Sequence, residues 1–207
     1  MANISRSFDL NVFINCPFDK EYQPLFEAIV FTVQLAGLRP RCALEANNAG
    51  EARLEKTMNI LAECRYSIHD LSRTELGKNG LPRFNMPLEL GLDLGCRKFG
   101  TGMQRSKRLL IMDKSRYRYQ RFISDIAGQD ITPHRQNSRQ VIRCVRDWLS
   151  LEHQGMTIAG GSYVANRYRT FQNALPPFCQ SLKLNPKQLT FGDFCMTVGL
   201  WLEENEK

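Results

Sequence analysis

The sequence predicts an α/β fold, a doubly wound sheet of about five mainly parallel strands with helices on both faces and a C-terminal helical tail. Three observations lead there. Strand-like apolar runs alternate with helix-period segments from Asp9 to Leu151, the order that strand–helix–strand crossovers require. The most apolar run, Leu109-Leu110-Ile111-Met112, stands between charged residues, as in a strand buried on both faces. A chain of 207 residues with 43% hydrophobic content fills one substantial core and at most one small subdomain. The expected division is an α/β domain over residues 8–151 and a helical extension over 152–207.

Asp9 to Ile14 has the β-branched and aromatic content of a first strand, broken by Asn15-Cys16-Pro17-Phe18-Asp19. From Glu21 the apolar positions Tyr22, Phe26, Ile29, Val30, Val33 and Ala36 follow helical spacing up to Gly37. Leu38 to Leu44 is the second strand, and Pro40 places it late or towards an edge. Glu51 to Cys64 reads as a helix with Leu54, Met58 and Leu61 inward. Tyr66 to Leu71 is the third strand, with His69 facing outward, and Ser72 to Pro82 a polar surface loop. The next helix carries Leu88 and Leu92 as an apolar row that Leu90 and Leu94 widen. Arg108 to Asp113 is the fourth strand. A fifth is expected around Asp130-Ile131-Thr132, followed by an amphipathic helix from Ser138 to Leu151 with Ser138 as its N-cap. Two more helices, near 162–182 and 191–204, form the tail, separated at Asn185-Pro186. The order of strands and helices is that of flavodoxin-like folds.

A net charge of +7 suits nucleic acid or a phosphorylated small molecule as partner. The basic residues are densest from Arg97 to Arg146, with Tyr117, Tyr119 and Phe122 among them. That stretch reads either as a solvated face or as a nucleic-acid surface, and no zinc finger, helix-turn-helix or RNP signature accompanies it. The seven cysteines are odd in number and widely spaced, which points to buried free thiols rather than disulfides or a metal site. No stretch has the length of a membrane span, so a cytoplasmic protein is expected. The chain has no Gly-x-Gly-x-x-Gly, P-loop or Gly-x-Ser-x-Gly element, and no cofactor is expected.

The chemistry centres on Pro82 to Gly95. Asn85, Glu89 and Asp93 are spaced four apart, so they project from one side of a helix. Asp70 closes the third strand, and the crevice at the carboxyl ends of the strands is where open parallel sheets bind ligands. Both acids therefore reach one site. Asn15, Phe18 and Asp19 follow the first strand at the same end. Asn15 and Asp19 fit either ligand binding or turn and cap chemistry; Phe18 fits either base stacking or core closure. With Pro87 in the first helical turn, Asn85 becomes an N-cap or a substrate contact.

The succession Asn15-Cys16-Pro17-Phe18-Asp19, His69-Asp70-Leu71-Ser72 and Arg83-Phe84-Asn85, then Leu88-Glu89-Leu90-Gly91, resembles the TIR-like nucleotide-binding proteins of bacteria. It is also similar to the nucleoside 2-deoxyribosyltransferases. The likeness spans about residues 9–113. It implies a flavodoxin-like fold and a catalytic Glu89 that cleaves or exchanges an N-glycosidic bond of NAD or a related nucleotide, in the manner of a bacterial antiviral defence effector. It further implies that Asp70 holds the ribose or base, and Asp70, a second catalytic candidate, or Asp19 is placed to assist the leaving group. Positive charge builds on the ribose as such a bond breaks, and a nearby carboxylate stabilises or traps it. Two other classes compete: a silent nucleotide sensor or TIR-like module acting by self-association, and a nucleic-acid-associated protein using the basic stretch.

Overall fold

The computed structural model describes residues 7–45, 48–74, 80, 83–153, 155 and 157–205. Strands β1 (Asn11–Asn15), β2 (Arg39–Arg41), β3 (Tyr66–Asp70), β4 (Arg108–Asp113) and β5 (Ile131–Pro133) form one sheet in the order β2-β1-β3-β4-β5. All four strand pairs are parallel. This is the flavodoxin-like order, and the chain reverses direction across the sheet between β1 and β3. β2 is an edge strand of three residues with Pro40 at its centre, where a missing N–H costs least.

Helices α1 (Gln23–Leu35), α2 (Arg53–Ala62), α3 (Asn85–Phe99) and α4 (Ser138–Glu152) cover the sheet, and α5 (Gly161–Ser181) and α6 (Phe191–Glu204) make up the tail. Alternate strand residues sort the core into layers. Val12, Ile14, Ile68, Leu110 and Met112 pack with α1, α4 and the tail, while Phe13 meets α2 and Ile111 meets α3. Phe31 of α1 stacks against Tyr168 and Phe171 at 5.3 Å and Trp201 at 6.1 Å, so the tail shares the core cluster of the sheet. None of the described helices is long and apolar enough to cross a membrane. The cysteines are free thiols; Cys96 and Cys195 are half-buried and the rest buried.

Several faces differ from expectation. In α2 the buried residues are Thr57, Ile60 and Leu61, and Leu54 and Met58 are exposed at 45% and 40%. The helix has two apolar rows, and the one chosen is the one that meets Phe13 and Cys64. In α3 the buried residues are Met86, Leu90 and Asp93 rather than a Leu88–Leu92 row, and Leu88 is exposed. Asn85 begins this helix; Phe84 holds the cap position without a side-chain cap bond. At α4 the cap is Asn137, whose Oδ1 accepts from the Gln140 amide at 3.0 Å, one residue before the expected Ser138. β5 lies one residue later than expected. His69 is fully buried instead of outward-facing.

Candidate active site

The carboxyl ends of β1 and β3 meet the first turn of α3 through Asn15. Its Nδ2 donates to the Met86 carbonyl and to His69 Nδ1, each at 2.9 Å. An accepting Nδ1 leaves the ring proton on Nε2, which donates to Asp93 Oδ2 at 2.9 Å. The Ser67 hydroxyl donates to the same oxygen. Lys107 Nζ stands 3.2 Å from Asp93 Oδ1, at ion-pair distance but off line for a hydrogen bond. The ammonium also donates to the Leu61 and Cys64 carbonyls at 2.8 and 2.5 Å. Lys107, His69 and Asp93 are all fully buried. Burial alone would push the Asp93 carboxyl up; His69, Lys107 and Ser67 outweigh it and hold the group below the usual carboxylate range. This network fixes the rotation of α3 and with it the direction of Glu89, one turn earlier on the same side.

Asp70 is likewise enclosed. Oδ2 accepts from the Tyr22 hydroxyl at 2.6 Å and lies 3.0 Å from His134 Nε2, while Oδ1 accepts from the Ser72 amide at 2.8 Å. His134 Nδ1 accepts from the Gln136 amide, and its Nε2 approaches Asp70 at ion-pair distance but off line for a hydrogen bond. Burial raises the Asp70 carboxyl, but His134, Ser72 and Tyr22 together leave it below its ordinary value. Oxygens so engaged join β3, β5 and α1. Asp70→Asn is expected to cost about 1.5–3 kcal/mol, the worth of hydrogen bonds to a charged group. An acid with a lowered folded-state pKa stabilises the fold above its unfolded pKa and loses that contribution as pH falls through the folded value. The difference in melting temperature from wild type should therefore be full at pH 7 and shrink below pH about 4; an equal deficit at every pH would show that packing, not charge, is what the substitution removes.

Glu89 is half-buried. Burial pushes its carboxyl up to about 7, and the Arg53 guanidinium at the start of α2 pulls partly the other way. The neighbouring Cys16 thiol is raised well above its ordinary value by burial first, and then by the negative charges of Asp70, Glu89 and Asp19. The charges of all three carboxylates are thus felt at one buried thiol. Asp19 Oδ1 accepts from the Tyr22 amide at 3.0 Å, which is turn chemistry, and Oδ2 accepts from Arg83 Nη1 at 2.8 Å. Arg73 is paired with both Asp19 and Glu21. Arg73 lies near the start of the loop expected over 72–82 and Arg83 just after it; 75–79, 81 and 82 lie outside the described residues.

Phe18 lies at the edge of the core. It sets an edge against the Phe26 ring at 5.4 Å and leaves 36% of its surface exposed, so one side is core and the other is open. Asn85 is exposed at the head of α3. Among the described residues no three His, Cys, Asp or Glu side chains converge to hold a metal ion. Lys107, Tyr22, His134 and Arg53 were not site candidates in the sequence. Each acts through a partner distant in the chain, and no local spacing marks them.

Fold and site define a flavodoxin-like α/β protein in which buried hydrogen bonds tie the reversal point of the sheet to the first turn of α3. Set against known proteins, the chain matches no family model, no curated protein and no solved structure.

Proposed function

We propose that the protein is a nucleotide N-glycosidase, acting on NAD or a related nucleotide, with Glu89 as its catalytic carboxylate. The observation that carries this reading is a half-buried glutamate whose carboxyl is raised to about 7, at the sheet end where doubly wound folds bind ligands. Its ionised form can stabilise or trap the cation that develops at the anomeric carbon. Asn15 sets the first turn of α3, Asp70 fixes Tyr22 and the turn at Ser72, and the open side of Phe18 offers a surface for a base. Perturbed acids cluster at functional sites, and structural networks of the Asp93 kind perturb them too. Glu89 differs from Asp93 in being partly open and in having no carboxylate hydrogen bond among the described residues.

The test is release of free base from NAD, NADP and a panel of nucleotides and nucleosides, followed by chromatography at several protein concentrations. Nicotinamide or a nucleobase should appear in proportion to enzyme. No release at any concentration, from a protein shown to bind nucleotide, overturns the catalytic reading. One observation favours assembly as a second reading. Leu54 and Met58 on α2, and Phe84 and Leu88 at the start of α3, are large apolar side chains left exposed on adjacent helices. Sedimentation on the same samples then shows whether self-association accompanies turnover or replaces it.

A further inference from the structure

Ala43, Leu44 and Glu45 after β2, the first turn of α2 and the amino end of α6 line an open cavity of about 760 Å³, a volume usual for a small-molecule site. Two of its walls differ in character. Leu44, half exposed, and Phe191, braced at 5.9 Å by the Phe26 ring, form an apolar side. Arg53 and Lys56 form a cationic side. Glu45 also lines the cavity but does not neutralise them, because Arg41 Nε donates to both of its carboxylate oxygens at 2.8 Å. Lys56 is steered by a hydrogen bond to the Asn48 carbonyl. Arg53 opens α2, the helix that packs against the Glu89 helix, so the cationic wall lies on the side of the proposed reaction centre. The first turn of α6 is closed by its own Thr190–Asp193 capping box; it contributes shape rather than free N–H groups.

We propose that this cavity receives the phosphate-bearing part of the substrate, with Arg53 and Lys56 as the anion-binding residues and Leu44 and Phe191 as the apolar wall beside them. The site then takes nucleotides in preference to nucleosides, and the C-terminal segment completes it. The assignment rests on the glycosidase reading for where the substrate lies, yet the cavity holds phosphate whether or not a bond is cleaved.

The experiment is a calorimetric titration of the whole chain with AMP and with adenosine. Wild type should bind AMP at least about tenfold more tightly, the effect expected of charge-assisted contacts to a phosphate. The Arg53→Gln/Lys56→Gln variant should erase that preference. Arg97→Gln/Lys98→Gln, which removes the same charge from exposed positions at the far end of α3, should keep it. Gly192 supplies an independent arm. A Cβ there meets only Thr190 Oγ1, at an ordinary 3.9 Å, so Gly192→Leu should fold with an unreduced melting temperature and lose AMP binding by filling the cavity. Equal affinity for AMP and adenosine in wild type, an AMP preference that survives Arg53→Gln/Lys56→Gln, or full AMP affinity in Gly192→Leu would each overturn the proposal. The two readings fail separately. Phosphate preference without base release removes the glycosidase and leaves the phosphate site; base release with equal KM for nucleosides and nucleotides does the reverse.

Discussion

Glu89→Gln is expected to reduce base release by more than about a hundredfold while leaving nucleotide binding near normal, because the carboxylate meets charge that exists only in the transition state. The substitution keeps the shape of the side chain and removes its charge. With the carboxyl near 7 and the ionised form required, wild-type kcat/KM should rise with pH through about 7 and level off above it. A falling profile would instead assign Glu89 the role of general acid. Stability supplies a second readout. A glutamate whose folded-state value of about 7 stands above its ordinary 4.5 holds more protons folded than unfolded, so it costs stability increasingly as pH rises from the unfolded to the folded value. At about 1.4 kcal/mol per pH unit, that cost is at most about 3.5 kcal/mol. Glu89→Gln should therefore melt higher than wild type at pH 8 and alike at pH 4. Near-normal turnover with an unchanged melting curve would remove Glu89 from the reaction.

The largest loss of stability is expected from Lys107→Met. The ammonium is fully buried beside Asp93, and removing one partner of a buried pair leaves the other charge uncompensated, at a cost of about 3–5 kcal/mol. That is a large part of the about 5–15 kcal/mol that holds a folded domain together. Adding Asp93→Asn to the same protein should recover part of the loss, since it removes the orphaned charge while keeping an acceptor for His69 and Ser67. Denaturant midpoints for the single and double variants decide the matter. A single variant as stable as wild type would mean that the 3.2 Å approach of Lys107 to Asp93 does nothing to anchor α3.

These two residues mark where the sequence is legible and where it is not. Local pattern places β4 at its observed bounds, as an apolar run between charged flanks, and α6 at Phe191–Glu204. Pro40 at the centre of β2 foretells an edge strand, and the edge is where it lies. Glu89 is also legible as a helical acid beside the carboxyl ends of the strands. The inward face of α2 is not: Leu54 and Met58 are as apolar as Ile60 and Leu61, and only contact with Phe13 and Cys64 selects between the rows. The same holds for the depth of Asp93. A carboxylate four residues after Glu89 reads from the sequence only as another member of the same helix side. It is buried because His69, Ser67 and Lys107, brought in from β3 and the approach to β4, replace the water that an isolated charge would keep. Local pattern settles which segments are strands and helices, since that depends on neighbours in the chain. Which face turns inward, which acid is held ionised and which is raised towards neutrality depend on charges and side chains that only the folded sheet brings together.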